Sequence, residues 1–273
     1  MPRPPLTVVV ITRNEEKNIE PCLSSVRDWA DEIVVVDDGS SDRTVEIARG
    51  FTSRVFERRM DNEGRHRNWA YARATHNWVL SLDADERMTP ELREEIDRTL
   101  GESSDVFGYN LPRRNFIGTI WLRHGGQYPS AQLRLFRKER FRYEEVGVHP
   151  RVFMEGPTRT LKGDILHYSY RDFAHFISKM NGQTSMEARK WAETGRKMTL
   201  GAALWRTIDR FFRYYVGKRG YRDGFPGFML AVFSGLYQIV SYAKFYELVH
   251  NPSAHAAGAH KGDEPGSPGA RSW

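Results

Sequence analysis

The first hundred residues alternate between short apolar runs and segments with helical spacing, and this alternation constrains the fold most strongly. The β-branched run Leu6–Ile11 has no polar face, as expected for a strand that is buried on both sides. Further strands are predicted at Ile33–Val36, residues 53–58 and residues 77–86. Strands separated by helices are joined by right-handed crossovers, so we expect an α/β fold with a mostly parallel sheet and helices on both faces.

Capping residues and apolar spacing predict where the helices lie. Asn14 is the expected cap of the first helix, and Ser41 or Asp42 is the expected cap of the second. The remaining helices are predicted at residues 65–75, after Thr89, at residues 172–193 and within residues 205–248. Between residues 105 and 170 the pattern changes to strand-like segments, which predicts additional strands, some of them antiparallel.

Acidic residues follow three of the predicted strands at the point where each strand ends. The segments are TRNEE at 12–16, VDDGSSD at 36–42 and LDADE at 82–86. Because ligands bind beyond the carboxyl ends of parallel strands, these side chains are expected along one edge of the sheet. The residues concerned are Glu15, Asp37, Asp38, Asp83 and Asp85. One acidic strand end is often only a cap or a turn, but three ends with the same pattern favour a ligand site.

Asp83 and Asp85 are candidates for a metal site. Carboxylates without a nearby cysteine suit Mg²⁺ or Mn²⁺, which complete their coordination with water and substrate phosphates. Neither a Walker A loop nor a G-x-G-x-x-G turn follows the first strand. We therefore expect a nucleotide held through base and ribose, with its diphosphate neutralised by the metal. Arg65 and Arg67 are candidate phosphate contacts, although a solvated helix face explains each arginine equally well.

Three segments resemble family 2 glycosyltransferases, enzymes of GT-A fold that use nucleotide sugars. They are VVVITRNEEKNIEPCLSSV, DEIVVVDDGSSDRTVEIA and WVLSLDADERMTPEL, in the usual order and at the usual separations. Five further segments look like the lipopolysaccharide-core β-1,4-glucosyltransferase group. They are RHRNWA, QLRLFRK, VHPRV, GDILHYSYRDF and GYRDGFPGF. The expected GT-A catalytic domain covers residues 1–195, with a nucleotide-sugar half up to about residue 104 and an acceptor half from 105 to 195.

The resemblance implies roles for individual residues. Nucleotide-sugar binding is implied or expected for Thr12, Glu15, Asp37, Asp38, Arg67 and Asp83. Asp85 is implied to ligate the metal, and Asp83 to lie by both the metal and the ribose. His149 and His167 are possible additional ligands, with His167 preferred, because some GT-A enzymes add a histidine. A lone histidine in a strand is more often a structural hydrogen-bonding residue, and that interpretation stays open.

The implied reaction is a single displacement that inverts the anomeric centre, and it needs a base for the acceptor hydroxyl. Glu145 is the preferred base and Glu144 the next, with His149 and Asp164 as further candidates. In the group that the chain resembles, a glutamate commonly follows the histidine of the VH motif, whereas Pro150 follows it here. The sequence therefore leaves the base open.

We expect transfer of a hexose, preferably glucose, from a UDP-linked or other nucleotide-diphosphate sugar to a lipopolysaccharide-core or other cell-envelope glycan or glycolipid. Transfer to polyprenyl phosphate or to another glycan is the alternative within this enzyme class. A haloacid-dehalogenase-like phosphotransferase fits less well, because its D-x-D motif follows the first strand and not the fourth. A non-catalytic, membrane-associated nucleotide-binding protein is the alternative of a different class. No aromatic and basic RNA-binding motif is present, so no nucleic-acid partner is expected.

Residues 196–250 form a predicted helical extension that is rich in basic and aromatic residues. Gly224–Ala243 is long enough to span a bilayer, but several polar and small residues dilute it. Peripheral attachment to an anionic leaflet and a helical subdomain packed on the catalytic domain both remain open. No signal peptide is visible, and the single cysteine, Cys22, fits a reducing compartment. The expected location is cytoplasmic and peripheral on the inner face of the cytoplasmic membrane, and residues 251–273 are expected to be disordered.

Overall fold

The structure is a computed structural model that describes residues 2–102, 104–146 and 150–251. The chain divides into two compact units, the first comprising the chain up to Arg114 together with Pro129–His167. The second unit comprises Asn115–Tyr128 and the chain from Tyr168 onward, so the predicted boundary near residue 195 falls inside it. His149, and residues 252–273 of the predicted disordered tail, lie outside the described residues.

Strands and helices alternate up to α4, a run of strands follows from β6 to β13, and the last elements are helical, as the sequence predicted. The strands are β1 Leu6–Thr12, β2 Glu32–Asp37, β3 Val55–Glu57, β4 Trp78–Asp83, β5 Glu86–Met88, β6 Gly108–Leu111, β7 Arg113–Ile117, β8 Ile120–Leu122, β9 Gln132–Arg137, β10 Phe141–Tyr143, β11 Val152–Met154, β12 Thr158–Thr160 and β13 Ile165–Tyr170. The α-helices are α1 Ile19–Ser24, α2 Thr44–Arg49, α3 Glu63–Ala72, α4 Pro90–Gly101, α5 Phe173–Glu193, α6 Leu200–Phe212 and α7 Gly224–His250. A π-helical turn, Arg213–Gly217, and a 3₁₀ turn, Gly220–Asp223, connect α6 to α7.

The first unit is built on a seven-stranded sheet with the strand order β12-β6-β9-β4-β1-β2-β3. β1 pairs in parallel with β2 on one side and with β4 on the other, and β3 extends the parallel set beyond β2. β9 runs antiparallel between β4 and β6. The predicted mostly parallel sheet with some antiparallel strands is therefore confirmed.

Both faces of this sheet are covered, which explains why β1 has no polar face. Val8 and Val10 pack into one apolar cluster with residues of α1 and α4, whereas Val9 and Ile11 pack into another with residues of α3. Cys22 belongs to the first cluster and is buried, as expected for a small core residue. Burial raises the pKa of its thiol well above the ordinary value, so the thiol stays neutral.

One of the predicted caps is confirmed and two are wrong. Thr89 accepts a hydrogen bond from the Leu92 N–H at 3.2 Å and caps α4. α2 begins at Thr44 with Arg43 at its cap position, so the predicted cap at Ser41 or Asp42 falls too early, although Asp42 Oδ1 accepts the Thr44 N–H at 3.0 Å. Asn14 does not cap the first helix, because α1 begins only at Ile19. Asn14 instead adopts a left-handed φ of 52°, which asparagine tolerates better than most residues, and its amide oxygen accepts the Ser41 N–H at 2.8 Å.

The second unit contains the predicted C-terminal helices. Its core joins Phe176 of α5 to Phe233 of α7, whose rings stack with centroids 5.0 Å apart. Lys244 of α7 adds a polar link, because its ammonium donates to the Asn181 carbonyl and the Thr184 hydroxyl of α5. The described residues contain one helix, Gly220–His250, that is long and apolar enough to cross a membrane, although a core helix meets the same criterion.

Candidate active site

The register of the parallel strands brings the acidic strand ends to one edge of the sheet. Thr12, the last residue of β1, lies opposite Asp37 of β2, and Ile11 lies opposite Asp83 of β4. The Asp38 N–H donates to the Thr12 carbonyl at 2.9 Å, which continues the pairing one residue past β2. The sequence prediction that these strand ends meet is confirmed, whereas the binding roles given to their side chains stay predictions.

Asp37 begins a tight turn that fixes its carboxylate. Ser40 donates its N–H to Asp37 Oδ2 at 2.7 Å and its hydroxyl to Oδ1 at 2.5 Å. Gly39 between them has a φ of +72°, a conformation that favours glycine. Burial raises the pKa of Asp37 even though the Ser40 hydrogen bonds favour the charged form. The carboxylate is thus held in one orientation and is almost completely buried.

The side chains of Asp38 and Glu15 form hydrogen bonds with other residues of the chain. Asp38 Oδ1 accepts the Met60 N–H at 2.6 Å, and Oδ2 lies 3.3 Å from a guanidinium nitrogen of Arg13. Glu15 Oε2 accepts a hydrogen bond from the Asn18 side-chain amide at 2.7 Å, next to the start of α1. These bonds hold the segments after β1 and β2 in place around the Asp37 turn.

Asp83 sits in a buried network of opposite charges. Arg134 of β9 donates through Nη2 to Asp83 Oδ2 at 2.5 Å and to Glu86 Oε1 at 2.8 Å, and Arg67 of α3 lies 3.4 Å from Asp83 Oδ1. All four side chains are buried. Burial alone would raise the pKa of Asp83, but the charges of Arg134 and Arg67 outweigh it and hold the pKa well below its ordinary value. Asp83 is therefore a carboxylate across the physiological pH range.

Glu86 organises the turn after β4, and sequence reasoning did not identify it. Its Oε2 accepts the Asp83 N–H at 3.0 Å, while Oε1 also lies 3.4 Å from Arg113. The side chain is fully buried. No sequence signal pointed to this role, because a charged pair such as Glu86–Arg87 after a strand is typical of an exposed loop. The cations that allow a carboxylate to be buried there come from other strands, namely Arg134 of β9 and Arg113 of β7.

Arg65 and Arg67, which the sequence left as equal candidates, have different environments. Arg65 is exposed and pairs with Asp61 at 3.1 Å and with Glu145 at 3.3 Å. Arg67 is buried beside Asp83, and its guanidinium lies 5.6 Å from the centre of the Tyr143 ring. The solvated interpretation thus holds for Arg65, whereas Arg67 belongs to the buried network at the strand ends.

Asp85 and His167 form the pair that fits a divalent metal. His167 Nε2 lies 3.5 Å from Asp85 Oδ2, and both side chains are buried. Pairing of β13 with β5 positions the histidine, because His167 lies opposite Glu86. The described part of the chain has no group of three or more His, Cys, Asp or Glu that could hold a metal. The Asp85 carboxylate nevertheless suits Mg²⁺ or Mn²⁺ when water and substrate phosphates complete the coordination, whereas the His167 imidazole is a less typical ligand for these ions. Asp83 fits less well, because each of its oxygens faces a guanidinium.

The buried polar atoms near the strand ends that have no hydrogen-bond partner within the described ranges include Thr12 Oγ1 and His66 Nε2. Arg58 can only donate, so its bond of 3.0 Å to His66 Nδ1 makes Nδ1 the acceptor and leaves the proton on Nε2. Burial lowers the pKa of His66 to about 4, although Asp38 acts in the opposite direction. His66 is thus a neutral donor. Because buried polar atoms are usually paired, Thr12 and His66 mark positions where a ligand would supply partners. His66 was not singled out from the sequence, where RHRNWA indicates only a helix.

The two preferred candidate bases, Glu145 and Glu144, lie on the segment after β10, and Asp164 lies directly before β13. Glu145 is exposed, and its carbonyl accepts a hydrogen bond from the Asn62 side-chain amide at 3.1 Å. A Cβ at Gly64 would lie 1.8 Å from the Glu144 carbonyl oxygen, so the segment reaches α3 only because residue 64 is glycine. Asp164 pairs with Arg114 at 2.7 Å. Each assignment of the base stays a prediction, and His149 lies outside the described residues.

Comparison with known proteins identifies the family. The family model described as "Glycosyl transferase family 2" matches residues 7–158, which is more than half of the chain. The chain belongs to glycosyl transferase family 2. It is a nucleotide-sugar-dependent glycosyltransferase of GT-A fold, as the sequence motifs indicated. Membership of this family disfavours the phosphotransferase interpretation of the D-x-D motif.

Several members of this glycosyltransferase family resemble the chain over most of its length. The lipopolysaccharide core biosynthesis glycosyltransferase LpsC of Rhizobium meliloti is 26% identical over 90% of this chain and 94% of its own. An uncharacterized glycosyltransferase of Rickettsia typhi is 24% identical over 89% of this chain and 87% of its own. The structure of a Pyrobaculum calidifontis mannosyltransferase in complex with GDP-Man and Mn²⁺ superimposes with a TM-score of 0.52 at 15% identity, covering 89% and 87% of the two chains. That structural similarity supports the fold.

Proposed function

We propose that this glycosyltransferase moves a hexose, preferably glucose from a UDP-linked donor, onto a lipopolysaccharide-core or related cell-envelope glycan, with inversion and with Mg²⁺ or Mn²⁺. The similarity to the lipopolysaccharide core glycosyltransferase LpsC carries this proposal. It extends over 90% of this chain and 94% of the relative, so it includes the residues after the D-x-D motif. The acceptor half is therefore compared as well as the donor half.

The donor nucleotide lies at the carboxyl edge of β1, β2 and β4 in this proposal. Asp37 accepts hydrogen bonds from the base or ribose, because its carboxylate is already oriented by Ser40. Thr12 Oγ1 and His66 Nε2, which are buried and have no hydrogen-bond partner within the described residues, contact polar atoms of the same ligand. Arg67 and Arg134 keep Asp83 ionised and oriented beside the ribose. These groups act by binding and orientation, which supplies a large part of the rate.

Asp85 and His167 hold the divalent ion in this proposal, and Asp83 contributes at most through its remaining lone pairs. When held by these residues, the ion would supply positive charge against the negative charge of the leaving nucleoside diphosphate. The two protein ligands leave most of the coordination to water and to phosphate oxygens, as is usual for Mg²⁺ and Mn²⁺. A site of this kind binds metal weakly without nucleotide and more tightly with it.

Glu145 is the proposed base that takes the proton of the acceptor hydroxyl, and Glu144 is the next candidate. An exposed carboxylate can be reached by a large glycan acceptor, and Arg65 lies 3.3 Å from Glu145 and orients its carboxylate. The hydroxyl oxygen attacks the anomeric carbon as the bond to the diphosphate breaks. One such displacement inverts the configuration of the sugar.

The test is turnover of UDP-glucose with deacylated lipopolysaccharide core oligosaccharide, in the presence of Mn²⁺ or of a chelator. We expect UDP release that requires both acceptor and Mn²⁺, and a product whose anomeric coupling constant shows inversion. GDP-mannose serves as the control donor. Retention of configuration, or full activity with the chelator, would contradict the proposal. UDP binding without turnover of any acceptor would favour the non-catalytic alternative.

Polyprenyl phosphate is the second candidate acceptor, and the apolar C-terminal helices favour it. Gly220–His250 contains a window of mean hydropathy 1.3, and an apolar segment of this kind could lie at the bilayer that holds a polyprenyl lipid. The same UDP-release assay with short-chain polyprenyl phosphate distinguishes the two acceptors. A phosphodiester product, which mild acid hydrolyses, would identify the lipid phosphate as the acceptor.

A further inference from the structure

α6 presents a row of large apolar side chains to solvent. The row consists of Leu200, Leu204, Trp205, Ile208 and Phe212, which are between 48% and 68% exposed. Four of them recur every four residues and therefore lie along one side of the helix. A soluble protein seldom leaves such a continuous apolar face uncovered, so the face needs a partner.

One side of α6 is covered by α7. Ala203 is 1% exposed, and a Cβ at Gly235 of α7 would lie only 2.8 Å from the Thr207 carbonyl oxygen. This close approach fixes which side of α6 faces α7. Trp205, Ile208 and Phe212 lie away from this side, whereas Leu200 and Leu204 border it. All five side chains are at least 48% exposed, so packing among the described residues of the second unit does not cover the row.

Exposed apolar side chains continue through the turns after α6. They are Val216, Tyr221 and Phe225, of which Phe225 is 67% exposed. The rings of Tyr215 and Phe228 lie edge to face with centroids 5.7 Å apart, which ties the π-helical turn to the start of α7. α6, these turns and the first turn of α7 thus form one surface, which we call the α6 face.

The charge of the chain is concentrated in the same segment. Residues 196–250 contain nine Lys and Arg against three Asp and Glu, a formal net charge of +6 that equals the net charge of the whole chain. The other residues therefore balance to zero. Six of these cations lie in α6 and the following turns: Arg206, Arg210, Arg213, Lys218, Arg219 and Arg222. An apolar row flanked by cations is the composition that binds an anionic lipid surface.

We propose that the α6 face binds the anionic phospholipid surface of a bilayer, with α6 parallel to the membrane plane. Its apolar row enters the boundary between headgroups and acyl chains, and the arginines contact the lipid phosphates. α7 stays packed against α5 through Phe233 and does not span the bilayer. The inference goes beyond the proposed function, because attachment requires neither the sugar donor nor its acceptor. It assigns the enzyme to the inner face of the cytoplasmic membrane.

Two other occupants fit the α6 face less well. A second copy of the chain would bring two cationic segments together, and like charges at close range repel. The C-terminal residues 252–273 contain one large apolar side chain, Trp273, and carry no net charge. They lack the apolar surface and the negative charge that a cover for this face requires.

The test compares two isoleucine substitutions in the full chain. Ile208→Ser removes an apolar side chain from the α6 face, and Ile177→Ser makes the same change on α5, where Ile177 is 47% exposed against 52% for Ile208. We expect the wild type and Ile177→Ser to float with vesicles of phosphatidylglycerol and phosphatidylethanolamine. Ile208→Ser should bind about fivefold more weakly, from the apolar area lost. Circular dichroism and thermal unfolding confirm that both variants are folded.

The contribution of the cations and the depth of Trp205 in the bilayer are tested separately. Arg222→Gln should weaken vesicle binding about fivefold, whereas Arg98→Gln on α4 should have no effect. High salt or vesicles of phosphatidylcholine alone should also weaken binding. Phospholipids with brominated acyl chains should quench part of the tryptophan fluorescence, and Trp205→Phe should lose that part.

Several outcomes would overturn the proposal. They are failure of the wild type to bind anionic vesicles, equal binding by Ile208→Ser and Ile177→Ser, or no quenching of Trp205. A wild-type dimer in sedimentation that Ile208→Ser converts to a monomer would assign the face to a second copy. None of these readouts depends on sugar transfer, so failure of the proposed function leaves them unchanged.

Discussion

Replacement of Arg134 by methionine tests the buried network around Asp83. Arg134 Nη2 lies 2.5 Å from Asp83 and 2.8 Å from Glu86, and all three side chains are buried. Removal of one partner of a buried ion pair leaves uncompensated charge, which costs about 3–5 kcal/mol. Here one cation serves two carboxylates, so we expect Arg134→Met to lower the free energy of unfolding by at least about 3 kcal/mol near pH 8.

The pH dependence of the free energy of unfolding distinguishes the loss of the Arg134 charge from the loss of its packing. In the wild type the pKa of Asp83 is depressed, so its contribution is fully present above the pKa of the unfolded chain and is lost as pH falls through the native pKa. Without Arg134, burial raises the pKa of Asp83 relative to the wild type. The variant then takes up a proton more readily in its native state. The difference in free energy of unfolding between the wild type and the variant should therefore shrink as the pH falls from about 8 to about 5.

Arg137→Met is the matched control, because Arg137 lies on the same strand but over aromatic rings. Its guanidinium is 5.3 Å from the Trp78 ring and 5.1 Å from the Phe107 ring. We expect a loss of about 1 kcal/mol that does not change between these pH values. Urea unfolding at the two pH values measures all three proteins. A deficit below about 1 kcal/mol for Arg134→Met, or one that is independent of pH, would refute the account of the network.

Three further predictions concern single residues of the site. Asp85→Ala should abolish Mn²⁺-dependent UDP binding in calorimetry while the protein stays folded by circular dichroism, and unchanged affinity would remove Asp85 from the metal site. Glu145→Gln should lower kcat about 10²–10⁴-fold with the donor KM preserved, whereas a loss of that size only in Glu144→Gln would reassign the base. Because burial lowers the pKa of His66 to about 4, protonation of the unfolded chain removes about 2 kcal/mol of stability between pH 8 and pH 5. His66→Asn should lack this loss in urea unfolding, and an identical pH dependence would contradict the assigned pKa.

The sequence predicted the sheet edge well because local patterns determine it. A β-branched run without a polar face indicates a strand buried on both sides, and parallel pairing then brings Thr12, Asp37 and Asp83 together. The start of a helix could be predicted where the capping residue forms a hydrogen bond with its own helix, as Thr89 does. The prediction failed at Asn14, whose amide bonds Ser41, 27 residues away. A contact at that separation leaves no local signal.

The buried charges could not be predicted for the same reason. Glu86 and Arg134 are 48 residues apart in sequence, and each alone is typical of an exposed position. Their burial depends on the antiparallel insertion of β9 beside β4, which the sequence indicated only as some additional strands. His66 became a candidate ligand contact only when its burial and its unpaired Nε2 were visible. Long-range pairing therefore determines most of the site's electrostatics.

The close approach of Gly64 to the Glu144 carbonyl links two segments that lie eighty residues apart in the chain. Gly64 N–H also lies 3.4 Å from the Val146 carbonyl, so the start of α3 and the segment that carries both candidate bases are joined through backbone atoms. Substitutions in the two segments are therefore not independent. Relatives with a side chain at position 64 are expected to differ in length or conformation at positions 144–146, and α3 cannot be exchanged between such enzymes without the segment at positions 144–146.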